Sequence, residues 1–311
     1  MGFSPEIMIH YLKHNEIDKK KWDDSIDQCV NNLIYAHSWY LDIVCPNWNA
    51  LIENDYESMM PLTGNKKYGI EYLYPPYFAQ QLGVFSKEKL LHEKVNEFLN
   101  SIPVRYKFVE LNLNTHNTFE YSGFQIKKNI NLELQLHVSY GALRKNYSRL
   151  IVRNIKKAIK NEITIQKNIE PSDLINMFRK TRGQGISNLK EKNYKMLLDL
   201  IHTCIKRGYC ESAGAFTKTG RLCAGIILLI KNNRAIFLFS STHKLGKENG
   251  AMFFLIDNFI RDNAGSEMIF DFEGSNIPGV ARLYKGFGSK ECVYLQVRKN
   301  NLPKLFRWIK G

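Results

Sequence analysis

The sequence predicts an α+β (α/β) protein of two tandem domains, each a mixed, mostly antiparallel sheet flanked by helices. Three observations carry this. Short segments rich in aromatic and β-branched residues alternate with helical runs whose apolar residues recur at a 3.6-residue period. The same order of elements occurs once in each half. A chain of 311 residues that is 44% hydrophobic can fill two cores of ordinary size. The expected domains are residues 1–140 and 141–311.

In the first half, residues 48–56, 68–74 and 80–85 read as antiparallel strands, separated by breakers at Gly64-Asn65 and Pro75-Pro76. A helix capped by Ser86 follows, with Leu90, Leu91, Val95, Phe98 and Leu99 on one face, and Pro103 ends it. Residues 108–113 alternate strictly and form a strand that the helix returns parallel to its neighbour. In the second half, residues 212–217, 222–230 and 234–241 form a meander that turns at Gly220 and at Asn232-Asn233. A glycine-containing loop at 243–251 leads into a helix with Met252, Phe253, Leu255, Ile256, Phe259 and Ile260 on one broad face, ended by Asn263 and Gly265. Residues 268–273 are the next strand, with Phe270 and Phe272 on one side and Asp271 and Glu273 on the other. Between the halves, residues 141–161 form a helix. Its apolar face of Leu143, Tyr147, Leu150, Ile151, Ile155, Ala158 and Ile159 opposes Arg149, Arg153, Lys156, Lys157 and Lys160.

Forty-four Lys and Arg against 30 Asp and Glu give a net charge of +14, which points to anionic partners and says little about fold. The apolar content excludes a disordered tail. No apolar run reaches the ~18 residues of a spanning helix, and the start lacks the order of a signal peptide, so a soluble, cytoplasmic protein is expected. The six cysteines contain no CxxC pair, so neither a disulfide framework nor a metal site is expected. Cys210 and His202 lie near each other without the frame of a nucleophile motif.

In this order of strands, with a loop that opens a helix, the chain resembles the GNAT acyltransferase fold. In its duplication it resembles the FemAB-like group, whose members transfer acyl or aminoacyl units to amines. Residues 74–85 and 147–160 contribute to the likeness. Above all, residues 270–288 (FDFEGSNIPGVARLYKGFG) are similar to a family block in which an acidic strand end precedes a helix and an aromatic-Lys-x-Phe-Gly signature. Here those positions are Asp271, Tyr284, Lys285, Phe287 and Gly288. The likeness spans residues 35–298. The GNAT phosphate loop reads Gln or Arg, two residues, Gly, one residue, Gly or Ala. In this chain three residues separate Gly246 from Gly250, a departure from the pattern that binds coenzyme A.

The resemblance implies an N-acyltransferase with two GNAT-like domains, the second holding the donor. The donor is acyl-CoA or aminoacyl-tRNA, and the acceptor is an amine, for example on a lipid-linked cell-wall peptide precursor carrying diphosphate. Candidate donor contacts are His243, Lys244, Gly246, Lys247, Gly250 and Ala251, because glycines at a strand-to-helix turn let backbone N–H groups reach a phosphate; the same residues also suit a solvated turn. Asp271 and Glu273 can take a proton from the attacking amine, or Glu273 caps the following helix with help from Ser275 near Ile277. Arg282, Tyr284 and Lys285 can stabilise an oxyanion or a phosphate, or form an ordinary charged turn. Arg149, Arg153 and Lys156 offer a phosphate contact or a solvated face. Tyr74, Gln80 and Gln81 suit a polar peptide or sugar, or pack between the halves. The competing reading is a binding module that keeps the fold and holds RNA or anionic lipid head groups without turnover. Only Tyr147 accompanies the basic helix, on its apolar side, so no stacking platform is offered to RNA, which favours the enzyme.

Overall fold

In the computed structural model, residues 8–118, 123–185, 189–274 and 278–303 are described. The chain forms two units. One runs to Asn129 and regains the chain from Val293; the other runs from Ile130 to Cys292. The expected division lies at 140/141 with the whole C-terminal part in the second domain; residues from 293 join the first unit because residues 296–300 pair with residues 108–112.

The first unit begins with β1 (Ile9–Leu12), α1 (Lys19–Gln28), α2 (Ser38–Val44), β2 (Asn49–Glu53), β3 (Ser58–Leu62), β4 (Gly64–Lys67), β5 (Ile70–Leu73), β6 (Phe85–Ser86), α3 (His92–Asn100) and β7 (Tyr106–Asn112). Strand β8 (Gln125–Gln135) carries the chain into the second unit. An antiparallel sheet runs β1-β2-β3-β6, and β4-β5-β7 forms a second ladder. Strand β5 lies parallel to β7, as expected, because α3 supplies the crossover. The core beneath includes Leu51, Met60, Leu73, Val95, Phe98 and Leu111, and the Trp22 and Trp48 rings meet at 4.8 Å.

Two expectations fail here for one reason. Residues 80–84 are not strand, because buried amides replace the ladder: Asn117 Oδ1 accepts from the Val84 N–H at 2.7 Å, while Asn31 and Asn117 side chains donate to Val84 O. Ser86 does not cap a helix. It lies in β6, its N–H donates to Asn31 Oδ1, and α3 starts six residues later after Leu91.

The second unit contains α4 (Tyr140–Lys145), α5 (Arg149–Lys160), β9 (Thr164–Lys167), α6 (Pro171–Lys180), α7 (Glu191–Lys206), β10 (Cys210–Phe216), β11 (Leu222–Lys231), β12 (Arg234–Thr242), α8 (Lys244–Asn249), α9 (Ala251–Asn263), β13 (Ile269–Asp271) and α10 (Pro278–Lys285). Strand β14 (Lys290–Asn300) then returns the chain to the first unit. The sheet runs β8-β13-β12-β11-β10-β9, antiparallel except between β12 and β13. Helices α5 and α9 bury Ile151, Ile155, Leu255, Ile256 and Phe259 against Phe237, Phe270 and Phe272. Phe178 of α6 meets Phe239 at 4.9 Å.

The meander and its following helix stand where the sequence predicts. The expected loop at 243–251 is instead the short helix α8, capped by His243, whose Nδ1 accepts from the Leu245 N–H at 3.3 Å, and ended by Gly250 in the left-handed conformation. The expected single helix at 141–161 is two, because Ser148 starts α5 afresh by accepting the Ile151 N–H. A Cβ at Gly250 would lie 2.4 Å from the Asn154 carbonyl, at a φ of +72°. Gly250→Ala is therefore expected to cost roughly 2–4 kcal/mol, read from the denaturant midpoint at unchanged m-value.

Candidate active site

Pairing between β12 and β13 ends at Ile236 with Asp271. Residues 237–242 of β12 continue with β11 on one edge and, among the described residues, no strand on the other. A bulge falls at the point of divergence: Ile236 pairs with Leu229 and Phe239 with Ile227, so Phe237 and Leu238 oppose Leu228 alone. An extra residue of this kind increases local twist and turns the strand end away from its neighbour. The sheet opens there into a cleft of about 700 Å³. Its lining is Ser240, Ser241 and Thr242 of β12, Lys244 and Lys247 of α8, Phe178, Thr181 and Arg182 at the end of α6, and Gly279 and Val280 of α10.

Among the described residues, three cations thus border the cleft, all with exposed side chains, and no carboxylate lines it. Ser241 is 5% exposed, and its Oγ has no hydrogen-bond partner among the described residues. A buried hydroxyl without a partner costs free energy that a bound polar group recovers.

Asp271 is not an accessible base. Arg234 Nη1 bridges Asp271 Oδ2 at 2.6 Å and Glu133 Oε1 at 2.7 Å, and Asp271 Oδ1 accepts from Asn131 Nδ2 and from the Glu273 N–H. Burial pushes the Asp271 carboxyl above its usual range, Glu133 pushes the same way, and Arg234 opposes both. None of these groups is among the residues that line the cleft. Cys292 joins them: burial, together with Glu133, pushes its thiol up to about 11, away from nucleophilic use at neutral pH. Glu273 is half-buried with a φ of +54°, so β13 stops at Asp271, and the neighbouring Gly274 has a φ of +52°. The proposed cap by Ser275 near Ile277 lies outside the described residues.

On α10, Tyr284 is buried, stacked on Phe272 at 4.6 Å, and burial pushes its phenol upward, with Glu273 adding to the shift. Arg282 is exposed, and Lys285 pairs with Glu291. Neither lines the cleft, although the first turn of the same helix does.

The two glycines of the expected cradle are held against neighbouring backbone. A Cβ at Gly246 would lie 2.2 Å from Cys223 O, and one at Gly250 would lie 2.4 Å from Asn154 O. These glycines let α8 pack closely on β11 and on α5. His243 is spent on its cap, and Ala251 is fully buried. Of the six expected donor contacts, only Lys244 and Lys247 reach the cleft.

FemX has this architecture along its whole length: the likeness covers 98% of this chain and 100% of that one, at a TM-score of 0.68 and 12% identity. The fold is FemX-like. L-PGS from Bacillus licheniformis is also similar, covering 90% and 91% at a TM-score of 0.52 and 10% identity. So is a tandem GNAT protein from the clavulanic acid biosynthesis pathway, covering 96% and 100% at a TM-score of 0.51 and 10% identity. No protein-family model and no curated protein sequence matches the chain.

Within this FemX-like fold none of the remaining candidates is among the residues that line the cleft. Arg149, Arg153 and Lys156 are exposed on α5, and none lines it. Tyr74, Gln80 and Gln81 belong to the first unit. Gln81 is buried, with Oε1 accepting from the Thr115 N–H and Nε2 donating to Gln80 Oε1, so its amide is used internally. Tyr74 donates its hydroxyl to Cys45 Sγ and lines a separate cleft of about 850 Å³ in that unit. Sequence reasoning missed Arg182, Thr181 and Ser241. A run of three hydroxyl residues, Ser240 to Thr242, closing an otherwise apolar strand was the available signal.

Proposed function

We propose that the protein is an N-acyltransferase that passes an acyl or aminoacyl group from an activated ester or thioester to an amine. The observation that carries this reading is the free edge of β12 beside Arg182, Lys244 and Lys247, with the Ser241 hydroxyl unpartnered in the same cleft. A free strand edge offers backbone N–H and C=O groups to an extended donor. The cations suit its phosphates.

In this reading the amine attacks the carbonyl carbon of the bound donor directly. A C–N bond forms, the C–O or C–S bond of the donor breaks, and the amine's proton passes through water to the departing oxygen or sulfur, which leaves as the alcohol or thiol. Catalysis then rests on orientation and on donors facing the developing oxyanion. Lys285 and Arg282 are contacts for the part of the donor that extends beyond the cleft. The three-residue spacing between Gly246 and Gly250, where the coenzyme A-binding pattern has one residue, favours an aminoacyl-tRNA donor over acyl-CoA. A lipid-linked or phosphate-bearing peptide precursor is the acceptor that the net charge of +14 favours.

The test is single-turnover transfer from labelled aminoacyl-tRNA and, in parallel, labelled acetyl-CoA to a muropeptide amine. Transfer from the tRNA ester supports the whole reading. Transfer from acetyl-CoA alone replaces the donor, and transfer from neither removes the enzyme.

A further inference from the structure

We propose that the outer face of α5 docks on an anionic membrane surface. At 3.6 residues per turn, Arg149, Arg153, Lys156, Lys157 and Lys160 fall within an arc of about 100°. All five are exposed, and none is ion-paired among the described residues. Directly behind them Ile151, Ile155 and Ala158 are at most 1% exposed and fix the helix in the core. From Tyr140 to Asn161 there is no Asp or Glu, while Arg144 and Lys145 add charge at the entry. The stripe is therefore a field of one sign, built on a rigid support.

Two aliphatic side chains decide which anion it fits. Leu150 is 39% exposed and Ile159 58% exposed, and they flank the cations on opposite sides. A reader of unpaired bases uses stacking rings or free amides beside its cations. Here Tyr147 is buried against Phe287, the Asn154 amide donates to Leu150 O, and the Asn161 amide donates to Asn249 Oδ1. Cations with flanking aliphatics match the boundary between lipid head groups and acyl chains. No helix among the described residues is long and apolar enough to cross a membrane, so this contact is peripheral.

The geometry also ties the face to the cleft. The Ser148 N–H donates to Gly286 O at 2.8 Å, joining the start of α5 to the end of α10, and Asn161 joins its end to α8. Both neighbours supply walls of the cleft. A docked α5 would hold the cleft beside a lipid surface.

The experiment is co-sedimentation with vesicles of phosphatidylcholine alone or with about 30 mol% phosphatidylglycerol. Wild type is expected to bind the anionic vesicles at least about 50-fold more tightly than the neutral ones, and to release as salt rises. Arg153→Glu/Lys156→Glu/Lys160→Glu is expected to lose about 100-fold or more, and Leu150→Ser/Ile159→Ser about tenfold, both with unchanged circular dichroism and melting. Equal binding to neutral vesicles overturns the proposal, as does wild-type binding by either variant. So does preferential binding of a labelled RNA hairpin over vesicles. Transfer activity is a separate readout: an active protein that ignores vesicles overturns this inference alone.

Discussion

Replacing Arg234 with leucine is expected to destabilise the second unit by about 3–5 kcal/mol, a fall in Tm on the order of 10 °C. The guanidinium is 17% exposed and serves two carboxylates, Asp271 at 2% and Glu133 at 12% exposure. Without it, Asp271 keeps the Asn131 and Glu273 donors but loses the only cation bonded to it among the described residues. The sign with pH follows. Burial already raises the folded-state pKa of Asp271 above its ordinary 3.8, and Arg234 is the largest opposing influence. In the variant the folded state binds that proton more tightly than the unfolded chain does. Its stability is therefore greatest in acid and falls as pH rises from about 4 through the raised folded pKa. Thermal melts between about pH 4 and pH 8 should show the gap from wild type widening with pH. A triple variant, Arg234→Leu/Glu133→Leu/Asp271→Leu, should recover most of the loss, because it removes the stranded charges as well as the bridge. A gap that is constant with pH would mean that Asp271 does not depend on Arg234 for its charge.

That cluster marks where sequence reasoning stops. Asp271 is visible in the chain as an acid on the polar side of a strand, and a catalytic role is a fair expectation. Its partners are not visible: Arg234 lies 37 residues away from it, and Glu133 lies 101 residues from Arg234. The elements that were legible depend on local pattern, as with the meander through β10, β11 and β12 or the broad apolar face of α9. The misread segment at residues 80–84 depends on distant polar groups. Val84 is satisfied by Asn31 and Asn117, 53 and 33 residues away, so no strand period could announce the segment. Helix α8 was read as a loop because its cap is a histidine, a residue outside the usual Ser, Thr, Asp and Asn signal. The two lysines of the cleft were found because their charge and position survive that error. Arg182 was not, since it follows α6 and reaches the cleft only through the packing of α6 on β12.

The cleft itself should separate function from stability in a way that the Arg234 cluster does not. Lys244→Ala/Lys247→Ala removes two exposed cations from its wall, so stability is expected to stay within about 0.5 kcal/mol. For a phosphate-rich donor, kcat/KM should fall about 10²-fold, and the slope of log(kcat/KM) against log salt should shrink by about 2. Ser241→Ala makes the sharper case. Its Oγ is buried without a partner, so removing it relieves an unmet polar group and is expected to raise stability slightly, by up to about 1 kcal/mol. The same change should lower kcat/KM about 10- to 100-fold if the hydroxyl is kept for a bound donor or for the oxyanion formed on it. Loss of kcat with KM unchanged would assign Ser241 to the transition state; a rise in KM alone would assign it to donor binding. A Ser241→Ala protein that is both more stable and fully active would show that the hydroxyl serves neither, and the cleft would lose its best evidence for a ligand.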